Sequence, residues 1–240
     1  MSGLVTHGLV IRRADYSDYD RMITLFTPQH GRVDAIVRGC KRPKSPLMNA
    51  AEPFCAGEYQ LYHSKDRYSV SQCQITDSFY NIREDYDKLM HGVYWLNLLE
   101  LAVMPDMPAP TLFMTTLRAL AFLNYSDLPP AMLTMAFEMH YMAQLGMRPM
   151  MHQCVKCGRP VDGDARFDME RGGVVCNQCP STAHFVSHGA RRILMKLPGT
   201  KFEQVQLLQG NEHWQEAARV FRKYIRMKVD RYGKMEPELP

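Results

Sequence analysis

The sequence lacks any apolar run long enough to cross a bilayer, which needs about 18 to 20 consecutive apolar residues. Segment 1–20 also lacks the long apolar stretch behind a basic start that marks a secretory signal. The formal net charge of +4 over 240 residues is too small to identify an anionic partner by itself. These absences predict a soluble protein without a signal peptide, whose partners must be inferred from local clusters of charge.

Signatures of common catalytic and nucleotide-binding sites are also missing. The chain contains no HExxH, no Walker A lysine loop, no GxSxG and no GxGxxG. It also has no His-x-Glu, which supplies the general acid and base of zinc-dependent nucleotide deaminases. We therefore predict that the chain is not an enzyme and that its work is binding.

Seven cysteines are present, and this odd number does not suit a framework of disulfides. Four of them form two Cys-x-x-Cys pairs, Cys154 with Cys157 and Cys176 with Cys179, with eighteen residues between the pairs. We call each pair a knuckle. Two residues between thiolates let both sulfurs face one ion, and two such pairs complete a tetrahedral site. The pattern predicts one structural zinc ion bound by these four cysteines in a reducing compartment.

The alternatives for these cysteines are a redox pair, two incidental pairs or a catalytic zinc. A thioredoxin-type site needs only one pair in a βαβ context, which the flanking sequence does not supply. A catalytic zinc needs an open position for water, and four cysteines leave none. Segment 151–185 is therefore predicted to be a zinc ribbon, with a hairpin over Arg166–Val175 that turns at Gly172-Gly173.

Short alternating apolar runs in the first eighty residues predict five strands separated by polar turns. Five strands without an intervening helix predict an OB-fold barrel over 1–80, although SH3-like barrels and sandwich fragments share the pattern. Gly31 can supply the positive φ of a tight hairpin between the second and third strands. The predicted strands are Val5–Arg13, Arg21–Thr27, Arg32–Arg38, Phe54–His63 and Tyr68–Ile75.

Apolar residues beyond Tyr80 recur every three or four positions, which predicts helices. The first ends before Met104-Pro105, and the others are Pro110–Leu123, Pro130–Leu145, Gly189–Leu197 and Asn211–Tyr232. They predict a helical bundle over 81–150 and 186–240 that the ribbon interrupts. The expected fold class is α+β, with a barrel followed by helices.

A basic loop follows the third predicted strand, within Arg32–Lys44. Val33, Ala35 and Val37 share one face of this strand, so Arg32 and Arg38 can lie on the other face with the loop cations. The candidate DNA-binding residues are therefore Arg32, Arg38, Lys41, Arg42 and Lys44, which would attract phosphates in a salt-sensitive way. A merely solvated loop is the alternative, and the pattern alone does not choose between them.

Two further patterns also allow both a nucleic-acid role and a plain structural one. Barrel tyrosines could stack on bases or be half-buried: Tyr16, Tyr19, Tyr59, Tyr62 and Tyr68. The terminal helix has an apolar stripe of Trp214, Ala218, Phe221 and Ile225 and a basic back. That back is a secondary candidate for DNA contact or a solvated outer face, and it consists of Arg219, Arg222, Lys223 and Arg226.

These features, in this order, resemble the RecO family of DNA repair proteins over essentially the whole chain. The most specific segments are Val10-Ile11-Arg12-Arg13 with Tyr16-Ser17-Asp18, Phe26-Thr27 before Gly31-Arg32, Arg38-Gly39 with its basic loop, Leu145-Gly146 and Gly172-Gly173. Some family members lack the knuckle cysteines. The zinc prediction therefore depends on the four cysteines of this sequence and not on the resemblance.

The resemblance implies an OB-fold that binds single- and double-stranded DNA, annealing of complementary strands, partnership with RecR and delivery of RecA onto strands coated by SSB. It places the protein in the cytoplasm, associated with the nucleoid. Family members can bind the acidic, apolar tail of SSB in a helical-domain groove that needs cations. Predicted helix residues Ala131–Leu145 include no Arg or Lys, so this site stays unassigned, with Arg118 and Arg148 as other sources of charge.

Two rival classes of function share these residues. A zinc-ribbon adaptor could bind proteins through its barrel and ribbon, with DNA binding incidental, and salt-dependent DNA binding would separate the two. A metal-dependent enzyme would be distinguished by an open, water-bearing position on its bound ion.

Overall fold

The chain folds as two compact units, residues 1–126 and 127–240. A computed structural model describes residues 3–64, 67–209 and 212–229, so residues 211 and 230–232 of the predicted terminal helix lie outside the described part. Among the described helices, none is both long and apolar enough to cross a membrane.

Five strands of the first unit close into a barrel with the order β1-β2-β3-β5-β4. They are β1 (Gly3–Asp15), β2 (Arg21–Thr27), β3 (Gly31–Val37), β4 (Ala56–Ser64) and β5 (Arg67–Asp77). Neighbouring strands are antiparallel except β3 and β5, which are parallel, and β1 pairs with both β2 and β4. This closed five-stranded barrel is OB-like, and the predicted fold class is confirmed.

Buried and exposed residues alternate along most of β3, and the buried ones face the barrel core. Val33, Ala35 and Val37 are buried in it, whereas Arg32 and Asp34 lie on the outer face. The same core contains other apolar residues from every strand, among them Val10, Ile23, Leu25, Leu61 and Val70. The period of two in the sequence therefore predicts correctly which face of β3 is buried.

Tyr59 belongs to this core rather than to the surface. Its ring is fully buried, and its hydroxyl donates to the Ala50 carbonyl oxygen at 2.9 Å. Burial raises the pKa of the phenol far above its ordinary value. Of the two interpretations of the barrel tyrosines, the structural one therefore holds for Tyr59.

Three helices of the first unit follow the barrel: α1 (Asn81–Glu84), α2 (Tyr86–Ala102) and α3 (Pro110–Tyr125). Asp85 caps α2 by accepting from the Lys88 N–H at 3.0 Å. Arg12 of β1 pairs with Glu100 of α2 at 2.6 Å, and the Phe26 and Phe113 rings meet edge to face at 5.3 Å. The first unit thus combines the barrel with these helices.

Along the chain of the second unit, helices precede and follow a small three-stranded sheet. The strand order in this sheet is β7-β6-β8. Its elements are α4 (Pro130–Gln144), β6 (Ala165–Asp168), β7 (Gly173–Val175), β8 (His184–Val186), α5 (His188–Lys196), α6 (Gln206–Gln209) and α7 (Trp214–Lys228). Strands β6 and β7 form the hairpin expected over Arg166–Val175, and Gly172 has φ +69° at its turn. The division of the chain into three domains stays a prediction.

Helix α7 presents a different buried face from the predicted stripe. Its buried residues are Ala217, Val220, Phe221, Tyr224 and Ile225, whereas Trp214 and Ala218 are half-buried. The Tyr224 ring meets Phe167 of β6 edge to face at 5.4 Å, and its hydroxyl donates to the Met147 carbonyl at 3.0 Å. This helix therefore holds the small sheet and the segment that follows α4.

At Gly31, the β2–β3 hairpin packs closely against the backbone of the segment between α2 and α3. Its φ is +60°, and an added Cβ would lie 2.2 Å from the Met104 carbonyl oxygen and 2.6 Å from that of Met107. Gly31→Ala should therefore lower the free energy of unfolding by more than the roughly 1–2 kcal/mol of a left-handed backbone alone. Urea unfolding measures this loss.

Gly39→Ala is the matched control. Gly39 has φ +65°, but the nearest atom to an added Cβ is 3.7 Å away on the flexible Arg42 side chain. This variant should therefore lose only the roughly 1–2 kcal/mol of stability that a left-handed backbone costs an alanine. Equal losses for the two variants would contradict the steric explanation at Gly31.

Candidate metal centre and nucleic-acid surface

The four knuckle cysteines lie in one cluster, with their ligand atoms all within 4.8 Å of one another. Cys157 Sγ and Cys176 Sγ are 3.7 Å apart, and thiolates about 2.3 Å from one tetrahedral ion would be about 3.8 Å apart. The Gly158 N–H donates to the Cys154 carbonyl at 2.8 Å, where φ of Gly158 is +71°. The cluster could therefore hold one metal ion.

The surroundings of the thiols favour a first thiolate but not four. Burial opposes ionisation of Cys154, but N–H groups including those of Cys176 and Cys157 lower its pKa to about 6. The Arg159 guanidinium, 3.4 Å from Cys157 Sγ, lowers the pKa of that thiol. Hydrogen bonds with Cys157 and Cys176 raise the pKa of Cys179 to about 12. Because thiolates repel one another, ionising all four requires a cation among them.

Backbone hydrogen bonds tie the first knuckle to the small sheet. The Val155 N–H donates to the Val174 carbonyl at 2.9 Å, and Met150 exchanges hydrogen bonds with Gly172 and Val174 at 2.9 Å each. Gly173 has no room for a side chain, because an added Cβ would lie 2.4 Å from a Val155 methyl group. Backbone hydrogen bonds to β7 and to the turn before it thus position the first knuckle, and Cys176 of the second knuckle directly follows β7.

The five predicted DNA-binding residues occupy three different settings. Arg38, Arg42 and Lys44 are exposed in the loop after β3. Lys41 is half-buried, with its Nζ 3.2 Å from the Asp15 carboxylate. Arg32 lies near the start of β3, about 20 Å along the strand from Arg38, and its guanidinium is 3.1 Å from the Asp34 carboxylate. The loop cations and Arg32 therefore do not form one cluster.

The turn between β1 and β2 supports the basic loop. Asp20 accepts from the Gly39 N–H at 2.8 Å, and this bond, followed by one from Ser17, lowers the pKa of the Asp20 carboxyl group. The Lys41 N–H donates to the Tyr19 carbonyl at 3.0 Å. The Arg42 guanidinium lies 5.1 Å from the Tyr19 ring centroid. The loop is thus held at one rim of the barrel.

A cleft of about 400 Å³ opens on the outer face of the barrel, and we call it the barrel cleft. Arginines and tyrosines from β1, its following turn, β3 and β5 line it: Arg12, Arg32, Arg67, Tyr16 and Tyr68. Arg67 Nη1 donates to the Tyr16 hydroxyl at 3.0 Å. Arg12 and Arg67 were not identified from the sequence, because they meet Arg32 only through strand register.

A groove of about 700 Å³ runs between α4 and α7 in the second unit, and we call it the helical groove. Met132, Met135, Trp214 and Ala218 supply apolar surface, and the four cations predicted on the terminal helix line the groove: Arg219, Arg222, Lys223 and Arg226. Glu138 also lines it. Arg118 and Arg148, the other sources of charge named from the sequence, do not line this groove, and its cations come from α7 instead.

Comparisons with known proteins cover nearly the whole chain. The model described as "Recombination protein O N terminal" matches residues 1–79, and "Recombination protein O C terminal" matches residues 83–236. "DNA repair protein RecO" of Acetivibrio thermocellus is 28% identical, covering 98% of this chain and 96% of the relative. Proteins of the same name from Alkaliphilus metalliredigens and Desulfitobacterium hafniense are 29% and 33% identical, covering 94% and 85% of this chain and 94% and 77% of the relatives.

Proposed function

Because this chain belongs to the RecO family of DNA repair proteins, we propose that it is a recombination mediator that binds and anneals single-stranded DNA. With RecR, it helps to load RecA onto strands coated by SSB. The observation that carries this proposal is the group of exposed cations at the rim of an OB-like barrel, Arg38, Arg42 and Lys44. Its proposed role is to bind DNA and to promote the exchange of SSB for RecA on it, and no residue is assigned a catalytic role. We propose that it acts in the cytoplasm, in association with the nucleoid.

The basic loop is proposed as the main phosphate contact. Phosphates attract exposed cations without regard to base sequence, and this attraction weakens steeply with salt. Arg38, Arg42 and Lys44 provide this charge, whereas the charges of Lys41 and Arg32 are partly neutralised by Asp15 and Asp34. Both single strands and duplexes carry phosphates, so the loop can contact either form.

Zinc is the ion that we propose for the cysteine cluster. Thiolates prefer soft or borderline ions, and a tetrahedral set of four sulfurs is typical of structural zinc. The 3.7 Å separation of Cys157 and Cys176 Sγ matches that geometry. When bound, the ion would neutralise the thiolates and cross-link the two knuckles. Its proposed role is structural, because four sulfurs leave no position for a reactant.

Protein purified without chelators should contain one zinc per chain by elemental analysis. Cys176→Ser should remove most of this zinc and lower stability by on the order of several kcal/mol, because metal binding contributes directly to folding in such segments. Cys73→Ala is the control, since Cys73 lies outside the cluster and should leave zinc content unchanged. Metal-free wild-type protein, or full zinc content in Cys176→Ser, would refute the site.

Replacing Arg38, Arg42 and Lys44 together with Ala should weaken DNA binding and reduce its dependence on salt. Each lost phosphate contact on a single strand lowers the slope of log affinity against log salt by about 0.7, so three lost contacts should lower it by about two units. Fluorescence anisotropy over a salt series measures this slope. Folding should be unaffected, because exposed side chains usually change stability by at most about 0.5 kcal/mol.

The matched control replaces Arg171, Arg192 and Lys201 with Ala, which removes the same charge from exposed positions of the second unit. This variant should retain the wild-type slope. If the loop variant also retains it, the loop is merely solvated. The interpretation as a zinc-ribbon protein adaptor would then gain support over DNA binding.

We assign the acidic, apolar tail of SSB to the helical groove. Met132, Met135 and Trp214 offer apolar surface to its apolar residues, and Arg219 and Lys223 offer positive charge to its carboxylates. Such a combination suits a short peptide in which apolar and acidic residues are adjacent. RecR is proposed as a partner from family membership alone.

Reversing Arg219 and Lys223 to Glu should weaken binding of a synthetic SSB tail peptide at least tenfold, which corresponds to about 1.4 kcal/mol. Titration calorimetry measures this affinity. Reversing Arg171 and Lys201 to Glu is the control and should leave peptide affinity nearly unchanged, because neither residue lines the groove. Equal peptide affinities for the two variants would rule out the helical groove as the tail site.

A further inference from the structure

Two basic side chains at the first knuckle reach across to the second. Lys156, inside the first knuckle, donates from Nζ at 2.5 Å to the carbonyl of Pro180, the residue after the second knuckle. Arg159, which follows the first knuckle, donates from Nη1 to the side-chain oxygen of Gln178, inside the second knuckle. The knuckles belong to separate segments of the chain, so these contacts connect them in addition to any shared ion.

The Arg159 guanidinium contacts a sulfur of the cluster at the same time. Its Nε donates to Cys157 Sγ at 3.4 Å, while Nη1 donates to Gln178. One guanidinium can serve both acceptors because its N–H donors form a rigid planar fork. A lysine ammonium is a compact point charge and does not offer this fork. The arrangement therefore uses a property that is specific to arginine.

The backbone fixes Arg159 beside the first knuckle. Its carbonyl accepts from the Cys154 N–H at 2.8 Å. Gln153 and Pro160, the neighbours of these two residues, form an antiparallel bridge. The chain thus folds back on itself directly after the knuckle, and this places the arginine side chain next to the sulfurs.

The charge of Arg159 also suits the site. Four thiolates and one divalent ion leave two uncompensated negative charges, and Arg159 brings a positive charge into contact with Cys157 Sγ. Residues that hydrogen-bond to metal ligands commonly change metal affinity by about 10- to 100-fold. An exposed ion pair on an ordinary surface has a much smaller effect. The size of the effect therefore decides whether Arg159 serves the metal site or is merely solvated.

We propose that Arg159 is a positioning residue that connects the two knuckles and slows loss of the metal ion. It holds the first knuckle through Cys157 Sγ and the second through Gln178, and its charge offsets part of the charge of the thiolates. This inference rests on the proposed zinc site. It adds to that site a residue that controls how long the ion is retained.

Arg159→Ala should still bind one zinc per chain but release it faster. The release rate is measured by mixing loaded protein with excess EDTA and analysing the protein-bound zinc over time. We expect release about tenfold faster than in wild type, at the low end of the range for such residues because the side chain is exposed. Arg159→Lys should restore only part of the retention, since it keeps the charge and loses the fork. The absorption spectrum of cobalt-substituted Arg159→Ala should match that of wild type, because all four sulfurs remain.

Gln178→Ala separates the bridge between the knuckles from the charge of Arg159. This variant removes the acceptor on the second knuckle and keeps the contact with Cys157, so its release rate should lie between those of wild type and Arg159→Ala. Adding Gln178→Ala to Arg159→Ala should have little further effect, because both changes remove the same contact. Arg171→Ala is the matched control. Arg171 is an exposed arginine of the same segment, 3.7 Å from the Asp168 carboxylate, and its loss should leave the release rate unchanged.

The outcomes separate this inference from the zinc site itself. Release as slow in Arg159→Ala as in wild type, or as fast in Arg171→Ala as in Arg159→Ala, would overturn the role of Arg159 while the zinc site stands. Fully additive effects of Arg159→Ala and Gln178→Ala would overturn the bridge between the knuckles. Wild-type protein that binds no zinc would refute the zinc site and this inference with it.

Discussion

The double pairing of β1 is the constraint on which the first unit depends. Residues Gly3–Leu9 pair with β4, whereas the later part of β1 pairs with β2, and the register shifts between Val10 and Arg12. This shift bends the strand so that it can complete two ladders and close the barrel. Closure brings Arg12 to the face that carries Arg32 and Arg67. It also places the turn after β1 beneath the basic loop, where Asp20 accepts from Gly39.

Helix α7 has a comparable role in the second unit, because one of its faces packs on the small sheet and another lines the helical groove. Tyr224 packs on Phe167 of the small sheet, and Glu216 accepts from the Ser187 N–H at 2.8 Å at the start of α5. Arg219 and Lys223 line the helical groove. The sheet that positions the cysteines and the groove proposed for a peptide are therefore connected through one helix.

The sequence predicted features whose cause is local, and it missed those that depend on register or on distant partners. The spacing within each knuckle lets its two thiols face one ion, and two such pairs complete a tetrahedral site. The sequence therefore indicated that the four cysteines lie together, as they do. It gave no sign that Asp15 pairs with Lys41, or that β5 brings Arg67 beside Tyr16. Strand β8 escaped prediction because only Val186 of its three residues is buried, so no alternation is visible.

We propose that this protein joins complementary single strands through its barrel and reaches coated strands through contact with the SSB tail. The most direct measurement is the rate of annealing of two complementary oligonucleotides, alone, coated with SSB, and coated with SSB that lacks its acidic tail. We expect metal-replete protein to accelerate annealing of bare strands and of strands coated with intact SSB, with much less acceleration when the tail is missing. Absence of acceleration with bare strands at low salt would contradict this proposal.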